Sequence, residues 1–330
     1  MNTKLWQLLG LLILPLIFVH MDWSSVKEAL VRANLVLIAM AFLLNVPLLF
    51  LTAMRWRYLL TLQGYQLSKR ATWIYYLGGL YLGFVTPGRI GDLGKGFFLR
   101  KAGIATLSRS LSSVVVDRLL DLYLLLLLAT LGIMWRKPFP ASFPVGLALL
   151  AVVVFFPFVF NFLSLPRGWA KDMIQKRLLN WFPVSVRKEA EEFASGMRLL
   201  PVNNLFVALF FTVMAQAIFF QACWLIAVAY SIPISYLELV PIMAMTNLIT
   251  FIPVSIAGLG TREAALLVFL NRPDITTEQI ILYSLSVFFV FFAGGGLLGY
   301  LGWILSPVYI SRKQAKAELS EDRNGNSSQS

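Results

Sequence analysis

Three groups of ionisable residues interrupt a sequence otherwise suited to hydrocarbon, and each has a spacing that chemistry can use. The first is Arg89, Asp92 and Lys95, set among Gly88, Gly91, Gly94 and Gly96. Arginine offers a planar two-pronged donor and lysine a compact point charge, a combination suited to phosphate. A helix beginning after Gly94 would add the partial positive charge of its N-terminus. The second group is Arg262 and Glu263, directly after Gly258-Leu259-Gly260-Thr261, with Thr261 the expected N-cap. The third is Asp117, Arg118 and Asp121, whose carboxylates are four residues apart and so share one helical face. These could pair with Arg89 or Lys95, or relay a proton. Each group also has a purely structural reading: Arg89 with Asp92, Arg262 with Glu263, or a clamp from the third group onto the first.

The setting makes these charges conspicuous. The 330-residue chain is 58% hydrophobic and 13% charged, with mean hydropathy +0.76, the composition of an integral membrane protein. Charge within a bilayer is costly, so ionisable residues there are functional candidates by default. The formal net charge of +12 sits largely in short loops beside apolar runs. There it reports orientation and attraction to anionic lipid rather than to nucleic acid. One cysteine, Cys223, precludes an intramolecular disulfide, and the single His20 precludes a multi-histidine metal site. No cofactor and no metal are expected.

Two of the three groups lie in paired breaks. Pro87-Gly88-Arg89-Ile90-Gly91-Asp92-Leu93-Gly94 and Pro253-Val254-Ser255-Ile256-Ala257-Gly258-Leu259-Gly260 share the pattern P-x-x-I-x-x-L-G at an offset of 166 residues. Paired broken segments in two halves point to a transporter's substrate site. Six apolar runs are read as spans: 5–20, 35–54, 111–135, 143–163, 205–230 and 280–306. The first resembles a leader, but no small-residue cleavage site follows it, so it is read as retained. The stretch 73–86 reaches about 21 Å, short of a hydrocarbon core of about 30 Å.

Loop charge supplies the topology. Arg55, Arg57, Lys69 and Arg70 mark one connection as cytoplasmic, and Lys95, Arg100, Lys101 and Arg109 mark another. The region between them must therefore enter and return. Basic residues at 167–198 and at Arg312, Lys313 and Lys316 place the second broken region on the opposite face. The expected fold is an all-α polytopic membrane protein of about six spans plus two re-entrant broken-helix hairpins, arranged as an inverted repeat. Repeat 1 covers 1–140 with a hairpin at about 73–99. Repeat 2 covers 141–310 with a hairpin at about 236–270 and an amphipathic cytoplasmic linker at 166–204. A disordered cytoplasmic tail, 311–330, completes the chain, and both termini are cytoplasmic. The hairpin backbones depend on Pro87, Gly88, Gly91, Gly94, Pro253, Gly258 and Gly260. Arg55-Trp56-Arg57 reads as an interfacial anchor, and Gly294-Gly295-Gly296 with Gly299 as close helix packing.

Four blocks in this order resemble a known family: R-W-R-Y-L-L at 55–60, P-G-R-I-G-D-L-G-K at 87–95, V-V-V-D-R-L-L-D at 114–121 and I-P-V-S-I-A-G-L-G-T-R-E at 252–263. They look like the signature blocks of the lysylphosphatidylglycerol synthase transmembrane family, also called the flippase-like or UPF0104 family. The resemblance implies a multi-pass protein of the cell inner membrane that moves a lipid or lipid-linked molecule between leaflets. In the two-domain synthases a soluble aminoacyltransferase domain follows. None is present in these 330 residues, so lysyl transfer is not carried over and no enzymatic activity is expected. The expected partners are membrane lipids, an anionic phospholipid or a lipid-linked carrier. Arg89, Lys95 and Arg262 would bind the headgroup, while Asp92, Asp117, Asp121 and Glu263 balance charge or bind a cationic part, and Arg118 is counted with them in the substrate site. A proton- or ion-coupled carrier of a small solute, and a scaffold for a lipid-modifying enzyme, remain as alternatives.

Overall fold

The computed structural model describes residues 23–85, 92–135, 150, 184–200, 204–251 and 258–326. The expected first span, all but Leu150 of the fourth, much of the 166–204 linker, and the hairpin tips at 86–91 and 252–257 lie outside the described residues. The regular structure of the described residues is helical: α1 Trp23–Arg32, α2 Leu35–Leu43, α3 Asn45–Leu62, α4 Lys69–Val85, α5 Gly94–Lys101, α6 Leu107–Trp135, α7 Val184–Arg198, α8 Phe206–Ala229, α9 Tyr236–Phe251, α10 Thr261–Phe269 and α11 Thr277–Asn326.

Among the described residues, three stretches are long and apolar enough to cross a membrane: Leu35–Leu62, Phe206–Ala229 and Thr277–Ser306. Large apolar side chains on them, among them Leu43, Phe50, Phe210, Phe289 and Leu301, are exposed. Such a surface belongs against lipid. Helix α6 has 29 residues and so reaches about 43 Å, but its first half is polar. The Asn34 side chain caps α2 by accepting from the Val36 and Leu37 backbone N–H groups at 3.1 and 3.4 Å. Asn45 joins α3 to α11, its Nδ2 donating to the Phe42 and Val290 carbonyls at 2.9 and 3.1 Å.

Both broken regions fold back on themselves. In the first, α5 returns along α4. A Cβ at Gly79 would stand 2.9 Å from the Lys95 backbone nitrogen, and one at Gly83 would stand 2.9 Å from the Asp92 carboxyl carbon. No real Cβ approaches that closely, so these two glycines let the return limb lie against the entering helix. In the second, α10 packs on α9, with Gly258 against Thr250. Gly258 and Gly260 have φ of +81° and +83°, the left-handed region where glycine carries no Cβ penalty.

The halves then interlock. Helix α11 packs along α4 and α9 along α6, while α3 packs against α8. The α11–α4 contact is close because Gly299 and Gly302 meet Leu77, Gly78 and Tyr81, as small residues permit. Gly132 of α6 meets the Pro241 ring of α9 in the same manner. The largest buried cluster gathers α8, α9 and α11 around Cys223, Ile226, Ile242, Met243, Tyr283 and Val287.

Three expectations change. The second span does not end at Met54: its helix continues to Leu62, because Tyr58-Leu59-Leu60 resumes an apolar face after the arginines. The helix of the last span continues to Asn326, past the expected end at Ser306. Its Lys, Gln, Ala, Glu and Leu residues all favour helix. Thr261 is the first helical residue of α10, and Gly260 is the N-cap.

Candidate functional site

The polar centre forms where α3, α5, α6 and α8 converge. Asp117 and Asp121 lie one turn apart on α6, so a single guanidinium can span both. Arg55 of α3 does so: its Nε donates to Asp117 Oδ1 at 2.7 Å, and Nη1 and Nη2 donate to the two Asp121 oxygens at 2.5 and 3.0 Å. Nη1 also donates to the Thr212 hydroxyl of α8 at 3.0 Å. The paired contacts to Asp121 are the two-pronged geometry that makes arginine–carboxylate pairs strong.

Lys95 enters from α5 and donates its Nζ to Asp117 Oδ2 at 3.1 Å. The same ammonium lies 4.4 Å from the Tyr76 ring centroid and 5.8 Å from that of Trp56. Aromatic faces attract a desolvated cation. The Trp56 indole is fixed in turn by donating to the Ser113 hydroxyl at 3.1 Å. Arg118 sits beside Asp92, Asp117 and Asp121 at 3.7, 3.4 and 3.5 Å. Three basic groups therefore meet three carboxylates, with Arg55, Lys95 and Asp117 buried outright. Burial of charge at this density requires such pairing, since an unmatched ion loses its hydration without compensation.

The second group assembles elsewhere. Glu263 is fully buried, and its Oε2 accepts from the Gly260 backbone N–H at 2.6 Å, which caps α10. Its Oε1 accepts from the Ser284 hydroxyl of α11 at 2.7 Å. The carboxylate also lies at the positive end of α10. Arg262 has its guanidinium carbon 5.7 Å from the Phe288 ring centroid. Glu263 thus ties α10 to α11, while the first network draws on α3, α5, α6 and α8.

Of the residues singled out in sequence, Asp92, Lys95, Asp117, Arg118 and Asp121 form one network. Gly94 begins α5, and Gly258 and Gly260 turn into α10. Arg89, Pro87, Gly88, Gly91 and Pro253 lie outside the described residues. Sequence reasoning missed Arg55 as the central cation and Thr212 as its support. The apolar run that continues beyond Arg55 through Leu59 and Leu60 shows that the helix extends past it, but does not by itself set a buried arginine apart from an anchoring one. Linker helix α7 docks on the polar start of α6 and the end of α3: Ser108 of α6 bonds to Glu189, and Gln63, which follows α3, donates its Nε2 to the Gly196 carbonyl at 3.1 Å.

Comparison with known proteins agrees with these blocks. The chain is 19% identical over 337 residues to the UPF0104 membrane protein of Methanocaldococcus jannaschii, covering 96% of this chain and 100% of that one. It is 24% identical over 309 residues to the UPF0104 membrane protein of Methanothermobacter thermautotrophicus, covering 87% of this chain and 91% of that one. No solved structure matches. Residues 7–299 match the family described as the lysylphosphatidylglycerol synthase TM region, and the network of Asp92, Lys95, Asp117, Arg118 and Asp121 falls inside that span. The chain is therefore a membrane protein of the lysylphosphatidylglycerol synthase transmembrane family.

Proposed function

We propose that this protein is a non-enzymatic lipid flippase of the cell inner membrane. It moves an anionic phospholipid or lipid-linked headgroup between leaflets while the acyl chains stay in lipid. The observation that carries this reading is the ion network itself. Six ionisable groups are sunk between apolar helices, and one cation, Arg118, keeps 23% of its side chain exposed. Ionisable groups at such a position mark a substrate path more often than a surface.

The reading also includes an inverted repeat of two re-entrant hairpins with both termini cytoplasmic. Supporting it, the helix contacts occur in exchanged pairs. Matching α3, α4, α5 and α6 to α8, α9, α10 and α11 converts the α4–α11 contact into α9–α6. It likewise converts α4–α5 into α9–α10, and α5–α6 into α10–α11. Two interlocked halves of this kind suit alternating access by rocking one half against the other.

The test is headgroup accessibility in reconstituted vesicles. A fluorescent phosphatidylglycerol of the inner leaflet becomes reachable by an external quencher only when protein is present. Failure to translocate any anionic phospholipid or polyprenyl-linked lipid tried overturns the reading. The exact charge balance of the network favours a second one, a scaffold for a lipid-modifying enzyme. That alternative predicts a stable co-purifying enzyme and unchanged lipid distribution.

A further inference from the structure

Two arginines share the same two carboxylates and are held in different ways. Arg55 is closed in by contacts of 2.5–3.0 Å. Arg118 has its three carboxylates at 3.4–3.7 Å, beyond the range of a well-made N–H···O bond. Its Nε is buried with no hydrogen-bond acceptor among the described residues. Arg118 thus has attraction from several sides and full coordination from none. A group able to offer two oxygens to the Nε edge of its guanidinium would hold it better.

The contact with Asp92 is the one that matters for movement. Asp117 and Asp121 lie on Arg118's own helix, whereas Asp92 belongs to the segment leading into α5. Asp92 rests against Gly83 of the entering helix and faces Arg118 across 3.7 Å. The longest of the three contacts is therefore the one that joins α6 to the hairpin. A phosphate presents oxygens in the spacing of the guanidinium fork, and such charge-assisted pairs close to about 2.7–2.9 Å.

We propose that Arg118 is the exchangeable cation of the network. A phosphate mono- or diester takes Arg118 from Asp92, and the released Asp92 frees the start of the return limb to shift against α6, with Lys95–Asp117 as the ion pair that still joins the two. Arg55 and Lys95 together keep Asp117 and Asp121 neutralised during the exchange, so the fold survives it. This inference rests on the flippase reading and gives it a ligand class and the residue that couples binding to hairpin movement.

The experiment measures the α5–α6 separation by spin labels at Phe97→Cys and Leu131→Cys, both exposed positions, in a full-length Cys223→Ala protein. Phosphatidylglycerol, inorganic phosphate and an uncharged diacylglycerol are titrated in separate arms. The separation changes with phosphatidylglycerol and not with diacylglycerol. Arg118→Lys keeps the charge but loses the fork, so it needs about tenfold more lipid. Asp92→Asn removes the competitor, so it needs about tenfold less. A response to inorganic phosphate as well assigns the exchange to the anion itself, and a response to lipid alone assigns it to the headgroup in its bilayer. No change with either phosphate source, or equal responses from all three proteins, overturns the proposal even where vesicles show translocation. A phosphate-dependent change in a protein that translocates nothing retains the exchange and discards the flippase.

Discussion

The first and second hairpins have similar frameworks and opposite chemistry. Each is a helix against which a shorter one packs, with glycine at the head of the shorter helix and a charged side chain just beyond it. The first limb, α5, points Lys95 into a network in which three cations and three carboxylates neutralise one another across α3, α5 and α6. The second limb, α10, spends Glu263 on its own N-terminus and on Ser284, against the largest apolar cluster. The difference teaches that a shared scaffold can be stabilised by ion pairing on one side and by packing plus a helix cap on the other. The side built on ions is the one where partners can be exchanged.

The strongest way to break the comparison is to remove its central cation. Arg55→Gln leaves Asp117 and Asp121 buried without their guanidinium. Leaving a buried charge uncompensated costs about 3–5 kcal/mol. The expected outcome is loss of folded protein in detergent extracts, read as a collapse of the monodisperse peak in size-exclusion chromatography. A variant with unchanged yield and melting temperature would show that the network does not hold the four helices together.

A smaller effect separates the halves by geometry rather than charge. Gly79→Ala pushes a methyl into the Lys95 backbone, and Gly132→Ala pushes one into the Pro241 ring. Overpacking of this kind costs about 1–3 kcal/mol at either site. Only the first displaces Lys95 from Asp117. Melting temperatures should fall for both, while Gly79→Ala alone increases the accessibility of a cysteine placed at Phe97. Equal accessibility in the two variants would mean that the close approach of α5 to α4 does not position the network.

Much of this arrangement was legible in the sequence because it is locally encoded. Glycine and proline within apolar runs marked the breaks between α4 and α5 and between α9 and α10, and the four-residue spacing of Asp117 and Asp121 put both on one face of α6. Lys95 was one of two basic partners open to the Asp117 group, and the structure pairs it with Asp117 at 3.1 Å. Arg55 was not legible in the same way. Flanked by Trp56 and Arg57, it has the look of a membrane-surface belt, and its partners lie 62, 66 and 157 residues along the chain. Only tertiary packing tells a buried arginine in such a motif from an anchoring one. The N-cap at Gly260 was similarly hidden. Threonine is the better side-chain cap, but a φ of +83° at that position selects glycine instead.

The finest distinction between the hairpins is redundancy, and two hydroxyl deletions measure it. Thr212→Val is nearly isosteric and removes one of four hydrogen bonds to Arg55, whose other three go to carboxylates. Because those charged bonds remain, the expected cost is about 0.5 kcal/mol. Ser284→Ala instead removes the only hydrogen bond to Glu263 Oε1 among the described residues. The carboxylate oxygen is then buried without a donor, and the cost rises to about 1–2 kcal/mol. Thermal unfolding of the two variants in the same detergent should therefore show the larger drop for Ser284→Ala. The reverse order would mean that the first network has no spare coordination, and a network without spare coordination could not release Arg118 to a ligand without unravelling.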